Sequence, residues 1–111
     1  MNNLKPNGMD TLVNNFDSLE QLIYSEGIRI KAIDVHRDMD ILLVILNTGF
    51  VLKEKLSKYF QLEHATDEQL LNFQLTGSGT GIHWPELDED LSLKGFLHDT
   101  IKSQVIGDKV A

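Results

Sequence analysis

The sequence predicts an α+β fold in which a three-stranded antiparallel meander, a single-layer sheet, packs with two to four helices. Three β-rich apolar runs joined by short turns, at residues 28–36, 41–46 and 50–55, predict the meander. Apolar residues recur at helical spacing before these runs and again after them. A chain of 111 residues, 41% of them apolar, is expected to build one core. We therefore expect a single domain over residues 28–106, with residues 1–27 as an N-terminal tail and helix extension and residues 107–111 as a tail.

An amphipathic helix is expected before the first strand. Its apolar face consists of four residues at i, i+4, i+7 and i+11, which are Leu12, Phe16, Leu19 and Ile23. The helix has two alternative starts. One is a cap at Asp10 or Thr11, and the other is the capping-box pattern of Ser18 with Gln21. Gly27 supplies a C-terminal stop that tolerates a positive φ angle.

The three strands differ in their apolar patterns. In residues 28–36 the alternation changes parity near Ala32 and Ile33, which indicates a bulge or a strand covered on both sides. Residues 41–46 are continuously apolar, as is typical of a central strand, and a turn at residues 47–49 follows them. The third strand is expected to place three residues on one face, namely Phe50, Leu52 and Glu54.

A helix is expected after the strands. Residues 66–69 form a Thr-Asp-Glu-Gln capping box, with two acids in the first turn, where the helix dipole favours them. The apolar residues that follow extend this helix over two to three turns, to an end near Gln74 or Leu75. Residues 77–81 then predict a glycine-rich loop.

A final helix is expected near the C-terminus. Residues 82–87 are expected to be irregular, because Pro85 blocks a helix there. The acids of residues 88–90 fit the N-terminus of the final helix, whose apolar positions begin at Leu93. Gly107 is expected to end it.

The charge and composition of the chain indicate which kinds of partner and which cellular location to expect. The net charge is −7 and the pI is about 4.9, which disfavours direct binding of nucleic acid and favours a basic partner protein. No run of about 18 apolar residues occurs, so no membrane span is expected, and the negative charge disfavours an anionic membrane surface as a partner. Cysteine is absent and no secretory signal is evident, so a cytoplasmic location is expected.

The glycine-rich loop matches no nucleotide-binding pattern. A dinucleotide fingerprint that starts at Gly77 needs glycine at the position of Ile82. A phosphate-binding P-loop needs glycine and lysine at the positions of Ile82 and His83. Three glycines so close together are most simply explained by tight chain reversal or close backbone approach. We therefore predict no cofactor.

The segment after the loop holds the densest set of ionisable residues, namely His83, Glu86, Asp88 and Asp90. A histidine with carboxylates suits a divalent metal, and His83 with Glu86 suits acid–base catalysis. Their spacing matches no helical ligand pair and no nucleophile lies beside them, so we assign no catalytic residue and no metal ligand. Trp84 has two open interpretations, as a core anchor of an irregular loop or as an aromatic hot spot at an interface.

Residues 76–97 resemble the C-terminal signature of the bacterial domain of unknown function 2442 family. The matching features are the glycine loop, Ile82-His83-Trp84-Pro85, Leu87-Asp88-Glu89-Asp90 and a leucine-rich final helix. The three strands also fit, as do the helix start at Ala65-Thr66 and the string Leu71-Asn72-Phe73. The resemblance covers residues 28–97 and implies a compact α+β domain of unknown activity.

The resemblance also implies a partner protein. Members of this family often sit beside a second small protein, in an arrangement like a toxin–antitoxin pair. Some carry a helix-turn-helix domain after this one, but this chain ends at Ala111, so a DNA-binding role of that kind is not expected. Residues 1–27 have no place in the family pattern and are expected to pack as an added helix on the sheet or on a partner.

We therefore predict a non-enzymatic protein-binding module, the antitoxin-like partner of another small bacterial protein. A homo-oligomer is also open, and the alternative function is a small enzyme or metal-dependent site built on the four ionisable residues above. The acids at 86, 88 and 89 are expected to form a rim that steers a basic partner around Trp84 or Ile82 as apolar centre. Asp90 is excluded, because it is expected to cap the final helix. The predicted surface comprises Gly77, Gly79, Gly81, Ile82, His83, Trp84, Glu86, Asp88 and Glu89.

Overall fold

The computed structural model describes residues 16–107. The first part of the predicted N-terminal extension, with the alternative helix cap at Asp10 or Thr11, and all of the predicted tail 107–111 except Gly107 lie outside the described residues. The helices are α1 (Ser18–Glu20, continued by a π-helical turn Gln21–Ser25), α2 (Phe60–Glu63), α3 (Asp67–Leu71) and α4 (Leu93–Ile106). Short 3₁₀ turns occupy Arg37–Met39 and Leu56–Lys58. The strands are β1 (Ile30–His36), β2 (Ile41–Leu46), β3 (Val51–Glu54), β4 (Gln74–Thr76), β5 (Gly81–Trp84) and β6 (Glu89–Ser92).

The first sheet is the predicted antiparallel meander, in the order β1-β2-β3. The parity change in β1 is a bulge, because the register with β2 shifts between Ile30 and Ala32. One extra residue at Lys31 brings Ile30 and Ile33 to the same, inward face. The turn between β2 and β3 is also confirmed, with Gly49 at a φ angle of 92°. The α+β class and the meander are therefore as the sequence predicts.

A second antiparallel sheet, in the order β4-β5-β6, was missed by the sequence analysis. The expectation of an irregular segment at residues 82–87 is wrong for its first three residues, which belong to β5. Pro85 follows β5, where it leaves the ladder intact because no partner there needs its missing N–H. The glycine-rich loop is the hairpin turn between β4 and β5, closed by bonds from the N–H groups of Gly79 and Thr80 to the carbonyl of Thr76, both 3.0 Å long.

The helix boundaries follow local capping chemistry. α1 begins at the later of the two predicted starts, with Asp17 and Glu20 as the capping box in place of Ser18 and Gln21. α3 has the predicted Thr66 capping box but ends at Leu71, because the chain then enters β4. α4 is capped by Ser92, whose hydroxyl accepts a 3.0 Å bond from the N–H of Gly95. Glycines at 27 and 107 follow α1 and α4 with φ angles of 80° and 78°.

One hydrophobic core lies between the two sheets and the helices. The strands of the first sheet give alternate residues to it, so that Leu42, Val44 and Leu46 of β2 are buried while their neighbours are only partly covered. Among residues 16–107, fourteen buried apolar residues from both sheets, the four helices and the segments between them form a single cluster. None of the helices in residues 16–107 is both long and apolar enough to cross a lipid bilayer.

Candidate functional site

His83 and Asp90 face each other on β5 and β6, on the side of the second sheet that points away from the core. His83 Nδ1 lies 2.8 Å from Asp90 Oδ1. The strand pairing creates this contact, because cross-strand partners stand about 5 Å apart at their Cβ atoms. The expectation that Asp90 caps the final helix is therefore wrong, and Ser92 holds that position.

Ile82 and Trp84 point to the opposite, inward face of β5, with exposed fractions of 1% and 0%. The indole Nε1–H of Trp84 donates a 3.0 Å hydrogen bond to the carbonyl of Leu70. We expected Ile82 or Trp84 to supply the apolar centre of an interface. This expectation is wrong, because both side chains are buried in the core and inaccessible to a partner. The core-anchor interpretation of Trp84 fits this geometry.

The glycines of the predicted surface have a packing role. The carbonyl of Gly79 accepts a 2.8 Å bond from the N–H of Ile30 at the start of β1. A Cβ atom on Gly79 would lie 2.6 Å from the carbonyl oxygen of Ile30. At Gly81 it would lie 2.7 Å from Thr76 Oγ1. Close backbone approach therefore explains Gly79, as the sequence analysis expected, whereas at Gly81 the nearest obstacle is a side-chain hydroxyl.

The acids of the predicted rim remain accessible. Glu86 and Asp88 are exposed and Glu89 is half-buried. Glu86 Oε2 accepts a 2.8 Å hydrogen bond from Asn72 Nδ2, just beyond the end of α3. Asp88 has a φ angle of 50°, a left-handed conformation that aspartate tolerates in tight turns. The loop that carries the acids thus has a defined shape and a fixed tie to α3.

Leu71 is an apolar surface residue that the sequence analysis did not select. It is 71% exposed and precedes Asn72, the partner of Glu86. The adjacent residue Leu70 is 1% exposed, so of two consecutive leucines at the end of a short helix one is buried in the core and the other faces solvent. Two adjacent leucines in a short helix look alike in the sequence, so only the packing of α3 shows which of them is buried.

The four ionisable residues of the alternative site do not converge. His83 pairs with Asp90 and Glu86 pairs with Asn72. Within residues 16–107, no group of three or more His, Asp or Glu side chains is arranged to hold a metal ion. The described geometry gives this alternative no support.

A buried carboxylate lies elsewhere, at Glu54 on β3. Glu54 is 7% exposed, and its Oε1 accepts bonds from the Tyr59 hydroxyl at 3.1 Å and from Lys58 Nζ at 3.4 Å. Burial raises the pKa of the Tyr59 hydroxyl, and the nearby charge of Glu54 raises it further. Lys58 also pairs with Asp99 of α4. Burial lowers the pKa of Lys58, but its bonds to Asp99 and Glu54 outweigh this effect, so the pKa of Lys58 is raised. Lys58 thus forms ion pairs that connect β3 with α4.

The architecture defines a small α+β domain of two antiparallel sheets around one core. The chain belongs to the DUF2442 family, described as a protein of unknown function, whose model matches residues 30–102. A comparison with curated proteins finds no match.

Two solved structures are similar to this chain. One is the crystal structure of a protein of unknown function from Rhodospirillum rubrum, with 32% identity, a TM-score of 0.57, and coverage of 65% of this chain and 87% of that one. The other is the solution structure of an uncharacterized protein from Chromobacterium violaceum, with 24% identity, a TM-score of 0.60, and coverage of 86% and 84%. The second likeness concerns the fold alone.

Proposed function

We propose that this protein is a non-enzymatic protein-binding module that acts in the cytoplasm as the antitoxin-like partner of another small, basic bacterial protein. The proposed binding surface, which we name the acidic ledge, comprises Leu71, Asn72, Glu86, Asp88 and Glu89. The observations that carry the proposal are the exposed Leu71, the bond of the next residue, Asn72, to the Glu86 carboxylate, and a buried support beneath this junction.

The support is the indole of Trp84. Trp84 is the last residue of β5, directly before the acidic loop, and its Nε1–H binds the carbonyl of Leu70 at the end of α3. Because Leu70 precedes Leu71, one buried hydrogen bond sets the position of the loop relative to the exposed leucine. Glu86 and Asn72 add a second tie across the same junction. A surface ordered before binding loses less conformational entropy when a partner docks.

The charge of the ledge suits a basic partner. The chain carries a net charge of −7, and exposed carboxylates at an interface rim act mainly on the rate of association. Leu71 provides the apolar contact that rim charges lack, and its removal is expected to raise the dissociation rate. The two kinds of contact therefore predict different kinetic effects.

The test begins with capture of the native partner on the immobilised full-length chain, followed by binding kinetics with the purified partner at low and at high salt. Glu86→Gln combined with Asp88→Asn is expected to slow association several-fold at low salt and to flatten its salt dependence. Asparagine also tolerates the left-handed backbone at position 88, so the loop is expected to keep its shape. Leu71→Ser is expected to speed dissociation.

A matched control removes the same charge elsewhere. Glu26 and Glu63 are exposed acids on other elements, and Glu26→Gln with Glu63→Gln is expected to change association much less. Equal effects of the two double variants would mean that only net charge matters. Unchanged kinetics in both the acidic-ledge variant and Leu71→Ser would refute the ledge as the binding surface.

A further inference from the structure

The first sheet has a second, outward face, which we name the meander face. It consists of the residues that alternate with the core residues on the three strands. The strand register places them in two complete rows, Ala32–Ile45–Val51 and Asp34–Leu43–Lys53, with His36 and Ile41 at one end.

The centre of the meander face is apolar. Ile41, Leu43 and Ile45 of β2 are each partly exposed, while the residues between them are buried. Among the described residues, the partly covered apolar side chains that pack against the core include none of these three. Val51 on the neighbouring strand is 45% exposed. Contiguous apolar surface of this kind on a sheet usually marks a contact site.

Opposite charges flank this centre in the middle row. Asp34 lies on one side of Leu43 and Lys53 on the other. Two strand spacings separate their backbones, about 10 Å, so the two charges do not pair within the chain. Asp34 Oδ2 lies 3.0 Å from Nε2 of His36 on the same face, and the carboxylate remains 57% exposed. Among residues 16–107, no acidic side chain forms an ion pair with Lys53, whose side chain is exposed.

The charges of the row Asp34–Leu43–Lys53 are complementary to those of the same row in a second copy. Consider two copies whose meander faces oppose each other, related by a two-fold axis that is parallel to β2 and midway between the sheets. This rotation places β2 opposite β2, and each β1 opposite the β3 of the other copy. Asp34 of each copy then faces Lys53 of the other, and Leu43 meets its own equivalent on the axis. Two sheets pack face to face about 10 Å apart in this aligned way, and a two-fold interface must match itself.

We propose that the meander face binds a second copy of this chain in this two-fold arrangement. The proposal concerns a surface separate from the acidic ledge and does not depend on the function proposed for it. Three strands with four residues each present only about 200 Å² per copy, below the roughly 800 Å² per partner of a standard interface. The dimer is therefore expected to be weak and to dissociate on dilution in the micromolar range.

The test is sedimentation equilibrium of the full-length chain from about 10 to 500 µM, a range that spans weak association. Wild-type protein is expected to dimerise reversibly. Asp34→Lys places four positive charges together at the interface, and Lys53→Asp places four negative charges there. Each variant alone is expected to dimerise at least tenfold more weakly.

An equimolar mixture of the two variants distinguishes this arrangement from others. In the mixed dimer, the lysine introduced at position 34 of the first variant faces the aspartate introduced at position 53 of the second. On the other side of the axis, the unchanged Lys53 of the first variant faces the unchanged Asp34 of the second. The mixture is therefore expected to recover near wild-type association. Lys102→Asp, a charge reversal at an exposed site on α4, is expected to have no effect, and circular dichroism checks that all variants fold.

Three outcomes would overturn the proposal. A wild-type chain that stays monomeric at every concentration would assign the meander face to another occupant, such as residues 1–15 of the same chain or a different protein. Single variants that dimerise as well as wild type would place the dimer contact elsewhere. A mixture that fails to recover association would exclude the two-fold axis along β2.

Discussion

At the scale of single residues, Trp84 connects parts of the chain that are distant in sequence. It is completely buried, its ring centroid lies 6.4 Å from that of Phe73, and its Nε1–H donates to Leu70. A buried indole needs a partner for its N–H group, and a carbonyl at a helix end needs a donor. One hydrogen bond meets both needs and joins α3 to the second sheet.

We predict that Trp84→Ala lowers the free energy of unfolding by about 3–5 kcal/mol, because it leaves a large cavity and an unpaired carbonyl. Urea denaturation of the purified variant measures this change. Phe60 provides a matched control, since it is 70% exposed and Phe60→Ala is expected to change stability by less than about 0.5 kcal/mol. A Trp84→Ala loss below about 1 kcal/mol would contradict the role as core anchor.

At the scale of elements, Asp40 joins the turn before β2 to the turn after β3. Asp40 has a φ angle of 57°, its Oδ1 accepts a 2.8 Å bond from the N–H of Ser57, and its Oδ2 accepts a 2.6 Å bond from the Ser57 hydroxyl. These bonds, the hydroxyl bond first, hold the pKa of the Asp40 carboxyl below its ordinary value of 3.8. The tie closes the end of the meander opposite to the turn at residues 47–49.

The lowered pKa of Asp40 predicts the direction of a pH effect. Stability from the ionised carboxylate is fully present above pH 3.8 and is lost as the pH falls through the lower pKa of the folded state. Asp40→Asn should therefore be less stable than wild type at neutral pH, and the difference should shrink below pH 3.8. Thermal melts across this range measure it.

Ser57 provides the control for this pH effect. In a Ser57→Ala background the carboxylate lacks its hydroxyl donor, so Asp40→Asn is expected to add a smaller pH-dependent change than it does in wild type. An equal change in both backgrounds would assign the effect to another partner of Asp40.

At the scale of the whole molecule, the two sheets meet where the hairpin turn of the second touches the first strand of the first. The N–H of Ile30 donates to the carbonyl of Gly79 at 2.8 Å, and the N–H of Leu93 donates to the carbonyl of Thr80 at 2.9 Å. The turn between β4 and β5 therefore binds both β1 and α4. Gly79 occupies this junction because a side chain would collide with the backbone of Ile30.

The sheet order predicts which strand has the slowest amide hydrogen exchange. β2 has hydrogen-bonded neighbours on both sides, whereas β4 is a three-residue edge strand with all residues exposed. Native-state hydrogen exchange is expected to show its slowest amides in Ile41–Leu46 and much faster ones in β4. Exchange in β2 as fast as in β4 would contradict the central position of β2 in the stability of the fold.

The parts of the fold that the sequence predicted are those that depend on local chemistry. The apolar run at residues 41–46 identified the central strand, the parity change in β1 indicated the bulge, and the Thr66 capping box marked the start of α3. Each signal comes from a few consecutive residues whose backbone preferences or periodicity suffice. The same is true of the family, because the signature at residues 76–97 lies within the matched region 30–102 and consists of consecutive residues.

The second sheet and the candidate surfaces were decided only by the tertiary structure. Acids at residues 88–90 suit a helix N-terminus as well as a strand, and only pairing with β5 places His83 against Asp90. Whether Trp84 faces a core or a partner depends on what lies against β5, which no local pattern contains. The meander face likewise exists because register aligns Asp34 with Lys53 across Leu43. Residues far apart in the chain become neighbours through strand pairing and burial, so these features lie beyond what periodicity and capping can predict.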